Sequence, residues 1–452
     1  LNCRMGNCTG GSNPPLSAKP KQTPPSGGVV YFTEDPMKAR FQKGLRDNKQ
    51  NPTGSVLALQ GSLPEITAGL HTLKLQIKQM RPGRNPRRDH ERSEQSIAWQ
   101  INIFKLFLKS TATKDIFDYF QGKYCNMKSL LHLIILFLFV GCSQPPADIP
   151  KIIFDTDLGP DYDDVGALAF LHAMADSGKA EILATVSSNK HELVAPSIDV
   201  INTYFNREEL PVGAPKTTGA SMGSGQHWAD SIVAKYPHKI KSTEEVADAV
   251  EVYRKILSTQ PDKSVTIATV GFLTNLSNLL KSAPDNYSPL NGQELVGKKV
   301  KRLVSMAGWF PEGKEFNIYI DSVSSKYALE NWPGEIIFTG FEIGSKIFTG
   351  LKLIESPVDN SPVKDVFRIS IPLSPEDKNG RMSWDETAVL IAVYGTDGFF
   401  DTVRGKIIVK SDGSNEWIND PAGRHYFVVQ KMPVNEMAEF IEERMMHNPQ
   451  GK

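Results

Sequence analysis

Between Asp155 and Asp164 the chain reads D-T-D-L-G-P-D-Y-D-D, five carboxylates in ten residues. Carboxylates this close repel one another unless a cation neutralises them or some remain protonated. An all-oxygen donor set of this kind suits a hard cation, calcium or magnesium. The preceding K-I-I-F is an apolar run that reads as a buried strand, and Gly159 turns the chain after it. The cluster thus falls at the carboxyl end of a strand, where open α/β sheets bind ligands. A solvated acidic loop is the plainer alternative, with Asp163 and Asp164 serving the next helix's N-terminus.

The rest of the composition narrows the chemistry. The 452 residues carry 51 basic and 51 acidic side chains, so no global positive charge marks a nucleic-acid partner. The cysteines are Cys3, Cys8, Cys125 and Cys142. With none beyond position 142, the C-terminal region has no disulfide, thiolate metal site or cysteine nucleophile of its own. Any metal there must be held by oxygen or imidazole.

The elements that would position the acids alternate regularly from Lys151 onward. K-I-I-F leads into a helix over Val165–Met174, then strand E-I-L-A-T-V and a helix through Ile198 and Tyr204. Ser242-Thr-Glu-Glu245 has capping-box spacing and predicts a helix opening there and running through Tyr253 and Ile256. Strand S-V-T-I-A-T-V, helix L-T-N-L-S-N-L-L, strand R-L-V-S-M-A, a helix around Tyr327 and Leu329, and strand E-I-I-F-T-G follow. This alternation predicts an α/β fold, a mostly parallel central sheet with helices on both faces. K-I-I-V-K-S-D-G-S-N and H-Y-F-V-V read as a hairpin-type addition before a last helix.

Upstream, Met127–Cys142 reads M-K-S-L-L-H-L-I-I-L-F-L-F-V-G-C, a signal-peptide pattern whose apolar run is too short to span a bilayer. Its F-V-G-C-S end resembles a bacterial lipobox, which makes Cys142 the lipidated residue and Ser143–Pro150 a tether. A signal peptide belongs at the start of a protein, yet residues 1–126 precede it. They lack amphipathic periodicity, and Gly11–Ala18, G-S-N-P-P-L-S-A, resembles the in-frame translation of a tRNA 3′ end. Residues 1–126 are therefore expected to be an over-extended reading frame with Met127 the true start. The rival reading is a disordered basic arm around R-P-G-R-N-P-R-R. The domains expected are thus 127–142 signal peptide, 143–150 tether and 151–452 the α/β domain, held by a lipid anchor at the bacterial cell envelope.

Four stretches resemble the inosine–uridine-preferring nucleoside hydrolases, in that family's order. Asp155–Leu168 resembles the D-x-D-x-G…D-D-x-x-A-L signature, and Thr269-Val-Gly-Phe-Leu-Thr-Asn275 the central P-T-G-G-L-T-N. Met306-Ala-Gly308 with Glu315-Phe-Asn-Ile-Tyr-Ile-Asp321 resembles M-G-G…E-F-N-x-x-x-D, and Trp384-Asp385 stands where His-Asp is usual. The resemblance implies calcium held by Asp157, Asp164, Asp385 and the Val270 carbonyl. It implies ribose hydroxyls held by Asp163, Asn189, Glu315 and Asn317, with His227 near the base. The short Pro311–Lys314 loop leaves one of the family's sugar contacts without a counterpart. Members are commonly dimers or tetramers, so a homodimer or homotetramer is implied.

The implied reaction is hydrolysis of a ribonucleoside's N-glycosidic bond, with positive charge building on C1′. Asp157 would take the proton from water, and Trp384 would stack on the departing base. Two alternatives stand beside it. A phosphatase of the haloacid-dehalogenase type would use Asp155 as nucleophile and Asp157 as acid. A lipid-anchored nucleoside- or sugar-binding protein would keep the metal without turnover.

Overall fold

The computed structural model describes residues 149–449; residues 1–148, with the signal-peptide pattern and Cys142, lie outside them. The chain runs β1 (Lys151–Thr156), α1 (Asp163–Asp176), β2 (Glu181–Ser187), α2 (Val194–Tyr204), β3 (Val212–Ala214), α3 (Trp228–Lys235) and β4 (Ala247–Asp248). Next come α4 (Ala249–Thr259), β5 (Val265–Thr269), α5 (Thr274–Lys281), α6 (Gly292–Lys299), β6 (Val300–Met306), β7 (Glu312–Gly313), α7 (Phe316–Tyr319) and α8 (Ser322–Asn331). After β8 (Glu335–Thr339) lie α9 (Phe341–Gly344), β9 (Phe348–Thr349), α10 (Leu351–Glu355), α11 (Pro362–Ser370), β10 (Arg381–Met382) and α12 (Trp384–Tyr394). The last elements are β11 (Phe400–Val409), β12 (Asn415–Asn419), β13 (His425–Gln430) and α13 (Val434–Met445).

One sheet takes eleven of these strands in the order β4-β3-β2-β1-β5-β6-β8-β13-β11-β12-β7. Every pairing from β4 to β13 is parallel. The remaining three are antiparallel. Alternation along β1 divides the core in two, because successive side chains point to opposite faces. Ile152 and Phe154 pack with residues of α1, α12 and α13, while Ile153 packs with residues of α4, α5 and α8. A parallel sheet buried on both faces is what the β/α alternation predicts.

Two local expectations are corrected. Ser242 caps only a short 3₁₀ turn, Thr243–Glu245; the helix itself opens at Ala249, where the Asp248 side chain accepts from the Val250 N–H. Both sites carry a capping residue, and the second lies nearer the apolar repeat that packs. At the C-terminal edge the hairpin joins β11 to β12, whereas H-Y-F-V-V forms β13, parallel to β8 and antiparallel to β11. The polar N-E-W-I-N of β12 gives no alternation to read, which hides this strand in the sequence.

Candidate functional site

β1 has β2 on one side and β5 on the other, so chain direction across the sheet reverses between β1 and β5. Such a switch point opens a crevice at the carboxyl ends of the strands. Asp157 follows β1 and Val270 follows β5. The Val270 N–H donates to the Asp155 carbonyl at 2.7 Å, which draws the two loops together. Gly271 permits that approach: a Cβ there would stand 2.3 Å from the Asp157 nitrogen.

Two helix N-termini, whose partial positive charge favours carboxylates, complete the acidic side. α1 brings Asp163 and Asp164, α12 brings Asp385 and Glu386, and all four are buried. The helices pack closely because α1 has glycine at 166, where a Cβ would come within 2.3 Å of a Glu386 carboxylate oxygen. One carboxylate oxygen from each of Asp163, Asp164 and Asp385 lies within 4.8 Å of the others. Asp157, Val270, Glu315, Asn317 and Trp384 line the same cavity, of about 70 Å³.

These carboxylates are held on unequal terms. Asp164 accepts from the Thr156 hydroxyl through Oδ1, but its buried Oδ2 has no hydrogen-bond partner. Both Glu386 oxygens are likewise buried and unpartnered. Asp163 is saturated: Oδ1 accepts from Arg381 Nη2 at 2.7 Å and Nε at 3.1 Å, and Oδ2 from the Trp384 and Asp385 N–H groups at 3.2 and 3.4 Å. Burial pushes Asp157, Asp164 and Asp385 well above the ordinary carboxylate range, and repulsion among the neighbouring aspartates adds to it. A buried, all-oxygen set with an unpartnered oxygen at its centre fits a hard divalent cation.

The side of the cavity formed by the E-F-N stretch is self-satisfied. Glu315 caps α7, taking the Asn317 N–H on one oxygen at 2.7 Å and the Gly308 and Ile318 N–H groups on the other at 2.9 and 3.2 Å. Burial nevertheless raises its pKa to about 7. Asn317 donates to the Val270 carbonyl at 2.9 Å and to the Met306 carbonyl at 3.1 Å. Glu312–Gly313, in the shortened loop, pairs with β12 as a sheet edge. An aromatic row leads outward: Trp384 tilts on Phe341 (centroids 5.2 Å) and Phe341 on half-exposed Trp309 (4.5 Å). The Trp384 Nε1–H is spent on the Phe341 carbonyl at 2.8 Å.

Other expected residues stand apart from the cavity lining. Asn189 is buried beneath it; its amide donates to the Asp157 and Met222 carbonyls at 2.9 and 2.7 Å and accepts from the His191 and Met222 N–H groups. His227 immediately precedes α3 with an exposed side chain, 3.4 Å from Asp230, and does not line the cavity. Asp155, the nucleophile of the phosphatase alternative, is fully buried under Tyr253 (2.7 Å) and Asn275 (3.1 Å), so no substrate reaches it. Arg381 escaped the sequence reading; a lone base three residues before Trp384-Asp385 was its one signal.

Residues 152–432 match the profile described as inosine-uridine preferring nucleoside hydrolase. The chain belongs to that family. It is similar to the pyrimidine-specific ribonucleoside hydrolase RihA of Escherichia coli, 23% identical over 205 residues, 43% of this chain and 61% of the relative. An uncharacterized protein of Schizosaccharomyces pombe is 27% identical over 223 residues, 45% of this chain and 65% of that protein. The chain therefore spans just under two thirds of these relatives' length. In fold it is similar to a purine-preferring ribonucleoside hydrolase from Gardnerella vaginalis (TM-score 0.54, 17% identity, 66% of this chain and 99% of that one). The plant nucleoside hydrolase PpNRh1 gives a TM-score of 0.51 at 20% identity, with the same coverage. The region that matches the nucleoside hydrolase profile takes in every carboxylate of the cavity.

Proposed function

We propose that this nucleoside hydrolase family member cleaves the N-glycosidic bond of ribonucleosides, releasing ribose and the free base, and that it does so with calcium. The observation that carries the reading is the cavity itself. Asp157, Asp164 and Asp385, Glu315 and Asn317, and Trp384 all line it. Asp157, Asp164, Asp385 and the Val270 carbonyl would hold the cation, since Asp163 has no free valence left. When bound, calcium would supply Lewis acidity toward water and coordination positions that a vicinal diol can fill.

The residues supply the rest. Asp157 accepts the proton of the attacking water. The surrounding carboxylates favour positive charge as it grows on C1′. Glu315 and Asn317 meet the sugar hydroxyls, and a 2′-deoxy sugar would leave a polar partner unmet. Trp384 contributes a stacking face, because its N–H is already bonded to Phe341. The test is free ribose from inosine and uridine, with and without chelator followed by calcium. Cation uptake without ribose release would instead support a binding protein.

The same reading extends to the upstream segment. Cys142 is proposed to carry a lipid that holds the enzyme at a bacterial envelope, and Cys142→Ser should move it out of the membrane fraction.

A further inference from the structure

Arg381 lies on β10, 5% exposed, among three aspartates. Its Nη2 is 2.7 Å from Asp161 and 2.7 Å from Asp163, and its Nη1 is 3.7 Å from Asp377. The guanidinium also lies over two rings, 4.9 Å from the centroid of Tyr162 and 5.1 Å from that of Trp384. A cation beside a proposed cation site should, by charge alone, oppose metal binding. The hydrogen bonds say something different. Arg381 grips Asp163 Oδ1 with two N–H groups, which turns Oδ2 onto the first two N–H groups of α12. Those two N–H groups belong to Trp384 and Asp385, both of which line the cavity.

We propose that Arg381 is a positioning residue: through Asp163 it fixes the start of α12, and so sets Asp385 for the cation and Trp384 for the base. It also withdraws Asp161 and Asp163 from the donor set, leaving one cation position on Asp157, Asp164 and Asp385. This rests on the metal-dependent reading above. The planar fork matters more than the charge, since lysine's single nitrogen cannot converge donors from two nitrogens on Asp163 Oδ1.

The experiment measures calcium binding by calorimetry, and terbium binding by luminescence, on wild type, Arg381→Met and Arg381→Lys. Loss of a ligand's outer partner costs roughly 10–100-fold in metal affinity. Arg381→Met should lose about that much, and Arg381→Lys most of it. Adding Asp163→Asn to Arg381→Met should cost little more, because the two residues act as one unit. Circular dichroism and the melting temperature in chelator report folding separately. Tighter binding in Arg381→Met with wild-type binding in Arg381→Lys would show that only charge matters and overturn the proposal. Unchanged affinity in both, even with a lowered melting temperature, would overturn it too, leaving Arg381 a fold residue. A wild-type chain that takes up no cation would overturn the metal reading and this proposal together.

Discussion

Asp164 and Glu315 line the same cavity and stand at the starts of α1 and α7, yet the protein satisfies them differently. Asp164 has a buried oxygen with no partner and is surrounded by other carboxylates, whereas Glu315 receives three backbone N–H groups. The first environment is complete only with a cation from outside; the second is complete by itself. An acid-to-amide change should therefore act in opposite directions at the two places. Asp164→Asn keeps an acceptor for Thr156 and removes one repelling charge, so the melting temperature in chelator should rise. Calcium should then add little stability, with affinity down by more than the roughly 100-fold that an outer partner costs. Asp157→Asn should cut ribose release by about 10²–10⁴-fold, the range of a lost general base, with unchanged circular dichroism. Calcium-dependent stabilisation of wild-type size in Asp164→Asn would erase the contrast.

Glu315→Gln sharpens the contrast from the other side. The new amide NH₂ would face backbone N–H groups, leaving a buried donor unmet at a cost of about 1–3 kcal/mol. The sign with pH follows from the raised pKa of about 7. A carboxyl that holds its proton more tightly when folded contributes stability below its ordinary range near 4.5, and that contribution is lost as pH rises toward 7. The gap in melting temperature between wild type and Glu315→Gln should therefore be widest near pH 5 and narrow by pH 8. A gap that widens with pH would mean that Glu315 is held charged.

A smaller effect is expected at Trp384, which touches neither environment through its N–H. If the ring acts by stacking, Trp384→Ala should reduce inosine cleavage about tenfold more than cleavage of a p-nitrophenyl riboside, whose leaving group departs unaided. Equal losses on the two substrates would place Trp384 with the fold or the metal.

The sequence made legible what is local and missed what is distant. The acidic run was legible from its own crowded residues, and the family resemblance marked the E-F-N stretch and Trp384-Asp385, which line the same cavity. The parallel sheet was equally legible, since strands buried on both faces are continuous apolar runs. Arg381 was not, because its partner Asp163 lies 218 positions away and one arginine in a polar stretch carries no periodicity. The saturation of Asn189 was hidden for a similar reason: its bonds run to backbone groups of two other loops. The family resemblance could mark it as near the site, but not as already spent. Strand β12 stayed hidden because its five residues, N-E-W-I-N, are mostly polar and show no alternation.

The smallest effect is expected at His227, and it tests how far the cavity's surroundings take part. This residue sits at a backbone φ of 57°, with its imidazole in solvent near Asp230. Alanine would be strained in that left-handed conformation and would mix a backbone effect into the result. Asparagine tolerates it, and His227→Asn removes the ring while sparing the turn. The neighbouring Trp228 is fully buried and anchors α3, so the imidazole can be lost without loosening the helix. With nothing bonded to the cavity from this position, kcat/KM for inosine should stay within about twofold of wild type, well under the tenfold that 1.4 kcal/mol represents. A tenfold rise in KM at constant kcat would show instead that the segment before α3 folds onto the nucleoside when it binds. His227 would then join Trp384 in holding the base.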